Sequence, residues 1–150
     1  GWAYCAPDIL TTLGSIRGPF SVNQIAADAG IIAVGDVEFQ EKSLRHSQKW
    51  MDEMCRFFTS AGLSVVPSAT NFILIGFDGH NGPTASETVR YLASKNILFR
   101  EMAPYGLEQY LRMSIGTDEE MQIVKQTLSD FFAGAQKSGT LKGHILRYQK

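Results

Sequence analysis

From Asp36 to Ala61 the chain carries one continuous helical pattern, and after it the period of the apolar residues changes. Asp36 stands where an N-cap is expected, and Gly62 where a left-handed residue closes a helix. The apolar stripe takes in Phe39, Trp50, Met51, Met54, Phe57 and Phe58, and is concentrated in the later half. Such a helix is expected to bridge two packing units. From Leu63 onward, strand-period runs alternate with shorter helical stretches. Ser64 to Val66 and Asn71 to Phe77 read as strands broken by Pro67-Ser68, and Ile97 to Arg100 reads as another. Thr84 and Glu87 form a capping-box pattern for a helix to about Ser94 that buries Val89 and Leu92. The region from Leu63 to Phe132 is therefore expected to be α+β, a small antiparallel sheet with helices on one face.

The last strand, within the run Tyr110 to Thr117, places Leu111, Met113 and Ile115 on one side and Tyr110, Arg112 and Ser114 on the other. Gly116 lets the chain turn, and Thr117 with Glu120 caps a final helix whose stripe is Met121, Val124, Leu128 and Phe131. Ahead of the long helix, Pro7 opens a helical stretch with Ile9, Leu10, Leu13 and Ile16 at helical spacing. A small-residue helix follows from about Val22 to Val34. Residues 2–5 read as a strand end. From Gly134 the apolar rhythm weakens, so 134–150 reads as a tail, with at most a short element from His144 to Tyr148. The expected organisation is 1–35, a bridging helix over 36–62, a small domain over 63–133, and the tail. The opening Gly1-Trp2-Ala3-Tyr4, without an initiator Met or signal peptide, suggests a piece of a longer protein.

Composition removes several classes of function. The 150 residues are 44% hydrophobic with a formal net charge of -1, which supplies one real core and no basic footprint for nucleic acid. No apolar run approaches a membrane span. Cys5 and Cys55 are too few and too far apart for a zinc site or a disulfide framework, and a cytoplasmic location is the natural expectation.

Among polar residues, Arg112 ends up on the polar face of a rigid strand. It is either a solvated cation or a fork for a carboxylate or phosphate. Arg100 closes the preceding strand. It is either a solvated strand end or a second cation converging with Arg112 on a two-headed ligand. Asn71 opens the longest strand after the loop Pro67-Ser68-Ala69-Thr70, and can bond its own loop or pin one that borders a site. His46 is expected on the exposed side of the long helix and His80 in a polar loop. With His144 they lack metal or triad spacing. Every lysine lies on a helix face, at a helix end or in the tail. The chain thus offers two anion-binding arginines and no catalytic group.

Five segments carry a family resemblance: Gly1-Trp2-Ala3-Tyr4, Arg17-Gly18-Pro19-Phe20-Ser21-Val22-Asn23, Ser68-Ala69-Thr70-Asn71-Phe72, Ile97-Leu98-Phe99-Arg100 and Leu111-Arg112-Met113-Ser114-Ile115-Gly116-Thr117. In order and spacing the chain resembles the C-terminal portion of the fold-type I aminotransferases that use pyridoxal phosphate, and most of all their histidinol-phosphate branch, over roughly residues 1–133. Residues 1–35 would then be a remnant of the large cofactor domain. The resemblance implies a cytoplasmic homodimer that transfers an amino group between L-histidinol phosphate and 2-oxoglutarate in histidine biosynthesis. It implies that Arg112 grips the substrate α-carboxylate and Arg100 the substrate phosphate; Asn71, from its place on the loop, is expected to join them as a substrate-binding residue. Ser21 departs from the family's Asn. The Schiff-base lysine and the cofactor-phosphate arginine of the family fall before Gly1. No catalytic, cofactor-binding or metal residue is therefore expected here, and the isolated chain is expected to be inactive. Alternatives are a fragment of an aromatic-amino-acid aminotransferase or threonine-phosphate decarboxylase, or a non-catalytic binding or assembly domain.

Overall fold

The computed structural model describes residues 4–78 and 82–145, with side chains to residue 135. Gly1 to Ala3 of the first motif, His80 and the end of the tail at Tyr148 lie outside the described residues, as does the His144 side chain. The chain divides into two compact units, Gly1–Lys42 and Ser43–Lys150.

The first unit is helical. Pro7 starts α1 (Pro7–Ile16) at a position where its missing N–H costs nothing. Asn23 caps α2 (Gln24–Gly35) by accepting from the Ala26 N–H. Neither helix buries a residue. Leu10, Ile16, Ile25, Ile31 and Ile32 are all more than 60% exposed, far more apolar surface than a finished helical layer leaves in water. Tyr4 and Cys5 are not in a strand.

Helix α3 (Val37–Ser60) begins in the first unit and ends in the second. Asp36 caps it through the Phe39 N–H, and Gly62 closes it at φ 83°. Its buried residues are Trp50, Met51, Met54 and Phe58, all in the later half, while Phe39 is exposed.

The second unit is an α+β layer. Strands β1 (Ser64–Val66), β2 (Phe72–Gly76), β3 (Arg100–Glu101) and β4 (Tyr110–Ser114) form one antiparallel sheet in the order β1-β2-β4-β3. Ile73 stands opposite Met113 and Ile75 opposite Leu111. These four side chains, nearly or wholly buried, meet α3, α4 (Ala85–Ala93) and α5 (Asp118–Ile145) in one core with Met54, Phe58, Leu92, Met121 and Leu128. Thr84 and Glu87 complete the capping box of α4 in both directions. The Phe131 ring stacks on Tyr91 at 4.2 Å, tying α5 to α4. Among the described residues, no helix is long and apolar enough to cross a membrane.

Besides the strand end expected at residues 2–5 and the exposed Phe39, further expectations are corrected. Helix α5 runs through Gly134 to Ile145, where the weakened rhythm reads as a tail, and it is longer than α3. Gly134, the first of three glycines in this helix, costs only about 1 kcal/mol against alanine, too little to end there a helix already anchored by Met121, Val124 and Leu128. The strand expected over Ile97 to Arg100 reaches the ladder only at Arg100. Asn96 takes φ 60° and the Ile97 N–H turns back to the Leu92 carbonyl, so that Ile97 to Phe99 stand away from β4. Within α4, Leu92 is buried but Val89 only half-buried, while Ala85 and Thr88 complete the inner face.

The contrast between the units predicts a contrast in stability. Leu128→Ala is expected to cost about 2–5 kcal/mol, and Ile31→Ala less than about 0.5 kcal/mol, in chemical denaturation of the 150-residue chain. A large loss at Ile31 would mean that something covers α2 in solution.

Candidate functional site

The antiparallel ladder brings Arg100 directly opposite Arg112. On β2, Leu74 pairs with Arg112 and Phe72 with Ser114. Strand alternation therefore places Phe72, Leu74, Arg100, Arg112 and Ser114 together on the sheet face that the helices leave open. Like charges at directly opposite positions are unfavourable, and among the described residues neither guanidinium has a carboxylate partner. Ion pairs of the described residues include Lys125–Glu53 and those of Lys49 and His46 with Asp118, away from the two arginines.

Aromatic side chains hold the two cations instead. The guanidinium of Arg112 lies 4.8 Å from the ring centroid of Phe72, and its Nε is buried without an acceptor. Arg100 donates from Nη2 to the Tyr105 hydroxyl at 3.2 Å, with its guanidinium 5.8 Å from that ring. Tyr105 ends a 3₁₀ turn, Ala103–Tyr105, that Gly106 closes at φ 71°. Beside the pair is a cleft of about 470 Å³, left where Ile97 to Phe99 diverge from β4, and Lys95, Leu98, Ser114 and Glu120 contribute to its walls. A paired, uncompensated positive site next to an open cleft suits an anion with two negative groups, or two anions in turn.

The turn after β4 is fixed from two sides. Glu120 accepts from the Thr117 N–H at 2.8 Å, and Thr117 Oγ1 accepts from the Glu120 N–H at 3.3 Å. The Thr117 amide, and then its hydroxyl, hold the Glu120 carboxyl below the usual carboxylate range. Gly116 leaves room for the capping carboxylate and takes no positive φ, since a Cβ would stand 2.5 Å from Glu120 Oε2 and push that flexible side chain aside. From the other side, Asp118 Oδ1 accepts from Trp50 Nε1 at 2.6 Å and from Lys49 Nζ at 2.8 Å. His46 Nε2 lies 2.8 Å from the Gly116 carbonyl. His46 is thus half-buried and bonded, where the sequence places it on an exposed helix side. The signal is its spacing, since His46, Trp50, Met54 and Phe58 form one i, i+4 row.

Asn71 is tied into the sheet by its backbone. Its backbone carbonyl accepts from the Ile115 N–H at 2.8 Å, extending the β2–β4 ladder by one step. Alternation gives it the face of Ile73, not that of Arg112. The loop bonds come from hydroxyls, with the Thr70 N–H donating to Ser68 Oγ and the Phe72 N–H to Thr70 Oγ1. Phe72 and Tyr105, the arginines' immediate partners, were not singled out by sequence, because only the ladder and the 3₁₀ turn bring them into reach.

Among the described lysines, Lys49 and Lys125 are ion-paired, Lys95 lies over Tyr91, and Lys42 is exposed. None has the desolvated surroundings that make an amine nucleophilic at neutral pH. No group of three metal-ligating side chains occurs among the described residues.

Two outcomes follow from the turn. Gly116→Ala is expected to cost about 1 kcal/mol in thermal or chemical unfolding, because it displaces the capping carboxylate. The hydrogen bond from Lys49, followed by that from Trp50, holds the Asp118 carboxyl below its usual value. Its contribution is present above the unfolded carboxylate value, near pH 4, and is lost as pH falls through the lower folded value. The thermal midpoint gap between the wild-type chain and Asp118→Asn should be widest near neutrality and narrow in acid. A gap that widens in acid would refute the clamp.

Comparison with known proteins agrees with the fold. The family model for aminotransferase class I and II matches residues 1–128. The chain is 37% identical over 131 residues to the histidinol-phosphate aminotransferase of Maricaulis maris (strain MCS10), covering 87% of this chain and 36% of that protein. It is 39% identical over 131 residues to that of Paramagnetospirillum magneticum (strain ATCC 700264 / AMB-1), with the same coverage. The crystal structure of the histidinol-phosphate aminotransferase from Clostridium acetobutylicum superposes with a TM-score of 0.73 at 19% identity, over 85% of this chain and 38% of that one. The Sinorhizobium meliloti enzyme in complex with pyridoxal-5'-phosphate superposes at 0.71 and 26% identity, over 85% and 35%. The L-threonine-O-3-phosphate decarboxylase of Porphyromonas gingivalis does so at 0.58 and 26%, over 83% and 38%. The chain therefore spans about a third of the length of these relatives. With its family model covering most of the sequence and its α+β layer matching solved members, the chain belongs to the class I and II aminotransferases.

Proposed function

We propose that the protein of which this chain forms part transfers an amino group between L-histidinol phosphate and 2-oxoglutarate, and that the chain supplies the anion-binding half of the substrate site. The observation that carries this reading is the Arg100–Arg112 cross-strand pair, which has no carboxylate partner among the described residues. Arg112 holds the α-carboxylate of glutamate or 2-oxoglutarate. Arg100 holds the phosphate of the other substrate, which has no carboxylate for Arg112 to grip. Bidentate, permanently charged guanidinium suits both tasks better than ammonium.

Pyridoxal phosphate, which the family implies, supplies an electron sink for amine chemistry when bound. The described lysines do not fit its aldehyde, since those near the sheet are paired or solvated. Its anchoring is assigned here to residues outside this chain, and the chain alone is expected to be inactive. The uncovered apolar side chains of α1 and α2 support the view that residues 1–35 belong to a larger cofactor domain. A cytoplasmic homodimer completes this reading.

A threonine-phosphate decarboxylase is the second reading. Its substrate carries a carboxylate and a phosphate on one molecule, and adjacent cations can meet both together. Kinetics of the full-length enzyme separate the two. Arg112→Ala should raise the KM for glutamate about 100-fold or more while sparing that for histidinol phosphate. Arg100→Ala should do the reverse. Equal losses on both substrates would overturn the division of labour, and release of CO₂ from L-threonine O-3-phosphate would favour the decarboxylase.

A further inference from the structure

The surroundings of Arg112 constrain how a ligand can reach it. Its guanidinium faces the Phe72 ring at 4.8 Å. Phe72 stands diagonally from it across the ladder, because its direct partner is Ser114 while that of Arg112 is Leu74. The Arg112 Nε is sealed from solvent and has no acceptor. An arginine offers a carboxylate two two-point edges, Nη1 with Nη2 or Nε with Nη2. With Nε sealed, the end-on edge is the one left open. A ring face attracts a cation through its quadrupole and uses up none of the guanidinium's N–H donors. A carboxylate in the same place would fix the side chain equally well, but would occupy the donors that a ligand needs. Arg100 is held differently, since its tyrosine partner takes one Nη2 bond.

We propose that Phe72 is a positioning residue for Arg112: its ring fixes the plane of the guanidinium so that a ligand carboxylate is met end-on, through Nη1 and Nη2. This rests on the reading of Arg112 as a carboxylate site, and the two can fail separately.

The test uses the full-length enzyme, with selectively labelled arginine, and the Nε–Hε signal of Arg112 in nitrogen–proton NMR spectra, with glutarate as the ligand probe. In the wild-type chain the Hε proton should be shifted upfield by the ring current and exchange slowly with water. Phe72→Leu, which keeps apolar bulk and removes the ring, should abolish the upfield shift and speed exchange. It should also weaken glutarate about fivefold, as expected for one cation–π contact. Phe72→Tyr keeps a ring face and should restore all three properties. If Phe72→Leu does not fold, the wild-type signal and Phe72→Trp decide, because the larger ring should move Hε further upfield. A wild-type Hε at the ordinary arginine position, or a Phe72→Tyr chain that behaves like Phe72→Leu, overturns the positioning role. An upfield, slowly exchanging Hε in a chain that does not bind glutarate upholds the positioning role and overturns the carboxylate reading.

Discussion

The β2–β4 ladder is the constraint on which the rest of the second unit depends. It sets Ile73 against Met113 and Ile75 against Leu111 on one face, and Leu74 against Arg112 on the other. Side chains alternate with period two, so a slip of one residue would exchange the two sets. It would bring Arg112 into an apolar core and turn Leu111 and Met113 out to water. Burying an unpaired guanidinium costs far more than the mispaired ladder could return. The hydrophobic demand of the core therefore also fixes the address of the functional cation. The same strand meets β3 on its other edge, so the register that packs the core also brings Arg100 to Arg112.

The turn after β4 carries that register into the helical layer. Asp118 collects two donors from neighbouring residues of α3, Lys49 and Trp50, while His46, one turn earlier, lies at the Gly116 carbonyl. The exposed carboxylate contributes modestly by itself. The Trp50 N–H is the more consequential partner, because the indole is almost fully buried and its donor would otherwise lack an acceptor. Glu120 closes the same turn from within α5. The strand end that carries Arg112 is thus tied both to the helix before the sheet and to the helix after it.

Much of this was legible in the sequence, for identifiable reasons. Both capping boxes, the α3 boundaries and the inward face of β4 rest on local periodicity and local hydrogen bonds, which a linear sequence records. The sequence leaves the convergence of Arg100 and Arg112 open because eight residues, Met102 to Gln109, connect β3 to β4, and a loop of that kind does not specify register as a two-residue hairpin does. The end of α5 was misplaced because Gly134 is a weak local signal and tertiary anchoring further back in the helix outweighs it. His46 reads as a surface residue when its neighbours in sequence are considered. It joins the core row only when counted four residues at a time back from Trp50.

An adjacent pair of uncompensated cations is a cost to the fold, not a contribution to it. Directly opposite positions in a sheet normally favour opposite charges or apolar pairs, and a glutamate at either position would relieve the repulsion. The chain keeps both guanidiniums, and supports each with an aromatic ring and not with an acid. A ring steadies a cation without cancelling its charge, so the positive potential stays directed at whatever enters the cleft beside the pair. A carboxylate support would stabilise the free protein more and bind anions less, since an entering ligand would first have to displace it. Stability forgone at the site is thus available as binding energy when an anion arrives.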